Sequence, residues 1–415
     1  MMNYLNQWLP NVPTTVWILA VGRLLSQVGT GFTLFYATIF FVNRVGLSAA
    51  AVGLALGLGA AVGMAGRIVG GTLADSPDWG RRKILILSSI ISAFGSLILS
   101  ITVNLPFFTA GSVIMGLGIG LYWPAMEASI ADLAGENNRN EAYALNRLAD
   151  NLGLGVGVVC GGWVINTTGA FRVLYMVDGL SYLIFGVIVY FSIHETTHPV
   201  GHPFTPRGNW RFALADGQLL TFGLVNCVLT LYIALVQTVL PLYFTNFVHT
   251  NIRGLPSGFS ASTISGLITG HILLSSLFQL PVARWLGRYP HPQSLMLSAG
   301  LWGIGFALVG FTGLNSQFPL VIAALALTTI SFASIIYLPT ASAFVAEMAP
   351  QSLRGTYLAM NSLCWAVGYV VGSPVGGWAL DQPQPVPHLF WFTLTGTTLI
   401  MIPILNYLNQ LPSPR

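Results

Sequence analysis

Apolar runs of membrane-spanning length follow one another down this chain, and charge is almost absent from them. A helix needs ~20 apolar residues to cross a bilayer. Only 7% of residues are charged against 54% hydrophobic, a balance that no soluble globular domain shows. Twelve such helices with their loops fill the 415 residues, so no sizeable soluble domain is expected. The pattern predicts helices over 14–42, 48–70, 84–103, 107–133, 141–166, 171–192, 215–247, 260–283, 293–313, 317–346, 354–380 and 388–408. The fold class is therefore all-α integral membrane, with twelve transmembrane helices. A polar stretch with three prolines separates the sixth helix from the seventh. It divides the chain into 1–192, a linker over 193–214, and 215–415.

Arginine and lysine set the orientation. Counting loops between consecutive helices, the even ones carry Arg81, Arg82, Lys83, Arg139, Arg207, Arg211, Arg284, Arg288 and Arg354. The odd ones carry Arg44, Arg172 and Arg253. Even loops, the linker and both termini are expected to be cytoplasmic, in an inner or plasma membrane. The net charge of +4 is scattered singly, which is a topology signal and not a nucleic-acid surface. Cys160, Cys227 and Cys364 lie inside apolar runs, so neither a disulfide framework nor a metal cluster is indicated. His194, His198 and His202 recur beside Glu195, but Pro199 and Gly201 break the helix that would align them on a metal. The first residues lack a basic stretch and a small-residue cleavage site, so no cleaved leader is expected.

The halves repeat. The run from Tyr122 to Trp163 aligns without a gap on the run from Tyr337 to Trp378. Pro124 meets Pro339, Arg139 meets Arg354, Asn146 meets Asn361, and Gly161-Gly162-Trp163 meets Gly376-Gly377-Trp378. A gap-free match of this length points to duplication, with two parallel six-helix halves.

Between the second and third helices lies GGTLADSPDWGRRK, from Gly70 to Lys83, which holds the chain's only lysine. Gly71, Leu73, Ala74, Asp75, Gly80, Arg81, Arg82 and Lys83 resemble the corresponding loop of the major facilitator superfamily. Four residues separate Asp75 from Gly80 where that family usually has two. The resemblance implies two pseudo-symmetric six-helix bundles. It also implies a cytoplasmic latch in which Asp132 pairs with Arg81 or Arg82, near Arg139, and Asp75 faces the start of the eleventh helix. Gly153, Gly157 and Gly161, with Gly162 beside them, line a smooth helix face. Their run also resembles the family's antiporter motif, with Val158 in the place of its proline. The repeat-related run contains Gly372, Pro374 and Gly376. Drug exporters of the family often carry an arginine where Ser112 stands here.

Among the charges inside predicted helices, four stand out: Arg23, Glu127, Arg147 and Asp150. Arg23 sits roughly 14 Å into the first helix, with Asp150 at similar depth and Glu127 roughly 9 Å in. Gln27 follows Arg23 one turn on. Charge at mid-helix is costly in lipid, so the four are expected to converge and pair. They form either a static ion network or a titratable site that contacts substrate. At the repeat-related positions stand Ser342, Ser362 and Trp365, so ion coupling is expected mainly in the first half. The second half offers Asn226, Gln237, Asn361 and Trp365 as cavity walls, and His271 as a proton carrier or a packing residue. Asp178 is expected near the outer end of the sixth helix, paired with Arg172 or facing the lumen.

These features point to a transporter similar to drug:proton antiporters, a monomer that exchanges a proton for a small amphipathic substrate and needs no cofactor. Without a phosphate-binding glycine loop the chain cannot itself use ATP. A sugar or other metabolite carrier of the same fold is the alternative. No nucleophile–base pair or metal motif suggests an intramembrane enzyme.

Overall fold

The computed structural model describes residues 12–74, 76, 78–193, 210–248, 258–286, 288–314, 317–350 and 354–411. Side chains at 131, 135–140, 144, 210–211, 280, 283–284, 354–356 and 359 lie outside that description. Most of the proposed linker and its histidines, Asp75 and Arg253 fall outside the described residues as well.

The described residues form fourteen helices. In chain order these are α1 (Thr14–Thr33), α2 (Ala37–Asn43), α3 (Ala49–Ala74), α4 (Gly80–Ile101), α5 (Leu105–Thr168), α6 (Phe171–Ser192) and α7 (Trp210–Ala215). They continue as α8 (Gly217–Thr238), α9 (Leu240–Asn246), α10 (Ala261–Leu286), α11 (His291–Leu314), α12 (Pro319–Met348), α13 (Arg354–Leu380) and α14 (Val386–Gln410). Twelve stretches of them are long and apolar enough to span a membrane. The chain is thus an all-helical, multi-pass membrane protein.

Several boundaries differ from the pattern reading, and four have a local reason. The first span breaks after Thr33, where Thr30 and Thr33 turn their hydroxyls back onto the carbonyls of Ser26 and Thr30 and bend the helix. The seventh starts at Gly217, because Asp216 caps it by accepting from the backbone N–H groups of Gln218 and Leu219. It breaks again before α9, which begins at Leu240 with Pro241 in its first turn. Residues 134–140, expected as a loop, stay helical inside α5, since no proline interrupts them. Asn104 caps α5 by accepting from Phe107 N–H, and Gly169, at φ 64°, ends it.

The chain divides into two compact units, Met1–Leu34 with Leu58–His202, and Phe35–Gly57 with Pro203–Arg415. In the first, α1 packs on α5 and α6, and α4 packs on the same two helices. Its core gathers Leu19, Ile84, Leu85, Tyr122, Met126, Leu145, Ala149, Phe185 and Val189. Two glycines fix the α1–α5 approach. A Cβ on Gly153 or Gly157 would run into the backbone carbonyls of Leu24 and Val28 respectively. The helices come this close because there is no side chain at either position.

In the second unit α8 packs on α13, and α11 on α12 and α14. Its core is aromatic: Tyr232, Trp302, Phe306, Tyr243 and Trp391 meet ring to ring at centroid distances of 4.8–5.7 Å. Residues 35–57 belong to this unit through polar contacts that the sequence did not suggest. Asp381 accepts from the N–H groups of Ala49 and Ala50 at 2.9 and 2.7 Å, capping α3. Asn43 and Asn246 exchange reciprocal amide hydrogen bonds at 2.8 Å.

Gly157→Leu is expected to cost ~1–3 kcal/mol by overpacking. It should lower the thermal unfolding temperature of the purified protein. Gly266→Ala, at a position with open space, should leave that temperature unchanged.

Candidate functional site

In the first unit the α1–α5 approach seats Arg23 against Asp150. Arg23 Nε donates to Asp150 Oδ1 at 2.5 Å, and the two residues are 6% and 8% exposed. Gly153, one turn beyond Asp150 on α5, is a point where α1 comes within backbone contact, so the packing glycines and the ion pair are one device. The guanidinium lies over the rings of Tyr122 and Trp123, 4.2 and 5.3 Å from their centroids. Those rings meet edge to face, as do Tyr122 and Phe185. Arg23 therefore has a carboxylate on one side and π-faces on the other, which lets it stay charged away from water. Gln27 is half-buried on α1 with its stem against Gly153.

Glu127 and Arg147 do not join this pair. Both are exposed, and the cations acting on Glu127 are Arg147 and then Arg67. The reason is register. Asp150 points into the α1–α5 contact, and Arg147, three residues earlier, stays on the exposed flank. The four charges thus form two clusters rather than one. Arg67 was missed as a site residue; its only signal was a lone charge in an apolar run. Its guanidinium lies 5.9 Å from the ring centroid of Trp123, so that ring touches both clusters. Ser112, where drug exporters often have arginine, is buried, with its carbonyl against Gly59.

Asp178 is fully buried and does not pair with Arg172. Its Oδ2 lies 2.7 Å from Ser96 Oγ, and Arg172 donates instead to the carbonyl of Thr102 at 3.2 Å. It faces α1 and α4 and not an open lumen, because α6 packs on both.

The second unit holds neutral polar groups, and most are satisfied internally. Asn226 donates to Asn361 Oδ1 at 2.8 Å and accepts from Tyr337 OH at 2.5 Å. Gln237 accepts from Tyr369 OH. His271 Nδ1 lies 2.7 Å from Ser331 Oγ, beside a small apolar pocket that Phe35, Leu240 and Phe244 also line. Trp365 is half-buried on the same helix as Asn361. Among the described residues no group of three or more His, Cys, Asp or Glu side chains is placed to hold a metal.

The Major Facilitator Superfamily model matches residues 19–266 and 257–415. The chain belongs to that superfamily. It is 24% identical over 407 residues to a Na(+), Li(+), K(+)/H(+) antiporter of Planococcus maritimus, covering 92% of this chain and 91% of that one. It is 26% identical over 362 residues to the multidrug resistance protein MdtH of Proteus mirabilis, covering 86% and 85%. Among solved structures, the nucleoside transporter NupG superposes with a TM-score of 0.78 at 14% identity, over 96% of this chain and 100% of that one. The POT family transporter PepTSo superposes at 0.75 and 15% identity, over 97% and 98%. At such identities these two structures establish the shared fold alone.

The superfamily loop also has a defined geometry. Gly80 takes φ 73°, a left-handed turn open to glycine, and starts α4. Arg81 pairs with Asp132 and donates to the carbonyl of Ala128 at 3.1 Å. Arg82 turns to α6, donating to the Tyr190 carbonyl at 2.5 Å and stacking on its ring at 4.6 Å. Lys83 donates to the carbonyl of Asp78 at 2.7 Å. Gly71 has only Pro124 near its missing Cβ. Arg139 lies on the helical backbone of α5, its side chain outside the described residues. Of the remaining glycines, Gly161 and Gly162 are buried, and Gly372 and Gly376 pack on Leu231 and Val239 of the second unit.

Removing one partner of a buried pair strands the other charge, at ~3–5 kcal/mol. Arg23→Leu and Asp150→Leu should each lower thermal stability by that order. The double variant should recover most of the loss. Additive losses in the thermal unfolding of all four proteins would contradict the pair.

Proposed function

We propose that the chain is a proton-coupled exporter of small amphipathic compounds working by alternating access. The observation that carries this reading is the buried Arg23–Asp150 pair. A proton arriving on Asp150 cancels its charge and releases the guanidinium. Arg23 then leans on Tyr122 and Trp123, and the contact that ties α1 to α5 weakens. Loss of the proton restores the pair. A site of this kind converts occupancy by one ion into a change of helix packing, as an exchanger requires. Two relatives, an antiporter and a multidrug resistance protein, support the same class.

Glu127, Arg147 and Arg67, exposed beside the half-buried Trp123, offer charge and π-face suited to a cationic or amphipathic substrate. A metabolite carrier would be expected to present free amides, whereas Asn226, Asn361 and Gln237 are engaged with protein partners. In this reading 1–192 and 215–415 are the moving bundles of a monomer and 193–214 is their tether. Even loops and both termini lie in the cytoplasm of a cell whose inner or plasma membrane holds the protein. Arg81–Asp132 belongs to the cytoplasmic latch, worth no more than a few kcal/mol if both states are to be visited.

Cells expressing the chain should export a lipophilic cationic dye, and a protonophore should abolish the export. Asp150→Asn should lower export at least tenfold, with Glu127→Gln changing substrate affinity more than maximal rate. Dye export equal to an empty-vector control would contradict the exporter reading. Export untouched by the protonophore would contradict proton coupling.

A further inference from the structure

Asp178 is the one described carboxylate that is wholly enclosed, at 0% exposure, and none of the ion pairs among the described residues includes it. Its surroundings are hydroxyls. Ser96 faces it from α4 and Thr33 acts on it from α1; Tyr175, Ser181 and Tyr182 share α6 with it, Ser181 Oγ reaching the Ser26 carbonyl and Tyr182 OH reaching Thr30 Oγ1. The nearest guanidinium along α1 is that of Arg23, already bound to Asp150. A carboxylate sealed from water without a counter-charge is far more costly than the same group carrying a proton.

Counting hydrogens leads to the same place. Ser96 Oγ lies 2.9 Å from the carbonyl oxygen of Tyr175 and 2.7 Å from Asp178 Oδ2. A serine hydroxyl has one hydrogen, and a carbonyl can only accept. If the serine hydrogen goes to the carbonyl, the hydrogen in the short contact to Oδ2 must come from the carboxyl. Ser181 Oγ likewise sits 2.7 Å from the carbonyl of Asp178 and 3.5 Å from that of Ser26, so its hydrogen is directed to a backbone oxygen. Oδ1 has no donor at hydrogen-bond geometry, with Thr33 the further hydroxyl that acts on the group.

We infer that Asp178, enclosed with Ser96 and Thr33, is a second proton-binding site of the first unit. The proton sits on the carboxyl as an O–H and moves to no other group in this conformation. Tyr182 OH and Thr30 Oγ1, 3.1 Å apart, and the Thr30 contact to Ser26 lie along α1 between this site and Arg23–Asp150. That row of hydroxyls places the two carboxyls on one polar seam through an apolar unit. Tyr175 and Tyr182 are the titratable groups beside it on α6, Arg23 the charged one on α1, and α4 contributes only serines. The part this site plays in transport rests on the proton-coupled reading; its capacity to bind a proton does not.

Infrared difference spectroscopy on the purified, intact protein tests the site without any substrate. At neutral pH a protonated-carboxyl stretching band that shifts in D2O should be present. It should be lost in Asp178→Asn, retained in Asp150→Asn and Glu127→Gln, and bleached as pH is raised. Asp178→Glu, which moves the band instead of removing it, gives the same reading should the asparagine variant be unstable. Ser96→Ala, which removes the contact to Oδ2, should shift the band. A folded protein with no band dependent on residue 178 at any pH would overturn the inference. A band that persists while dye export ignores a protonophore would leave the proton site standing and remove only its role in transport.

Discussion

A guanidinium cannot stay in a lipid-embedded unit unless something close by answers its charge, and the first unit is built around that demand. Arg23 is answered by Asp150 on one side and by two aromatic faces on the other. The carboxylate reaches it only because α1 and α5 touch backbone to backbone, and they touch because Gly153 and Gly157 have no side chains to keep them apart. Packing, burial and charge are therefore one arrangement. A change at any of the three disturbs the others, and the proposed proton coupling at Asp150 uses that link.

The two units handle polarity in opposite ways. The first concentrates its charge in a buried pair, an exposed cluster around Glu127 and an enclosed acid. The second replaces these with an amide–phenol network and an aromatic core, and Trp365 stands at the repeat-related position of Asp150. In the proposed cycle the first copy responds to an ion and the second serves as a wall.

Much of this was legible in the sequence, because membrane helices advertise themselves by length and lack of charge. The twelve spans follow from that alone. Arg23 and Asp150 stood out as charges in apolar runs, and their partnership followed from the cost of leaving them single. What escaped were features set by helix register and by non-local contact. Register put Arg147 on an exposed flank while Asp150 turned inward, so the expected four-charge network became two clusters. The capping of α3 by Asp381 and the Asn43–Asn246 amide pair join residues more than two hundred positions apart, and neither leaves a local mark. Asp178 could be placed on its helix but not among its hydroxyls, since serines and threonines scattered over three helices show no spacing until they fold together.

The central claim is that protonation of Asp150 and its pairing with Arg23 drive exchange. Proteoliposomes containing the chain and a pH-sensitive dye in their lumen test it most directly. Adding a cationic substrate outside should move protons across the membrane in the direction opposite to the substrate, and Asp150→Asn should abolish that proton movement while the reconstituted protein stays folded. Substrate uptake with no accompanying proton movement, or proton movement equal in wild type and Asp150→Asn, would contradict the account.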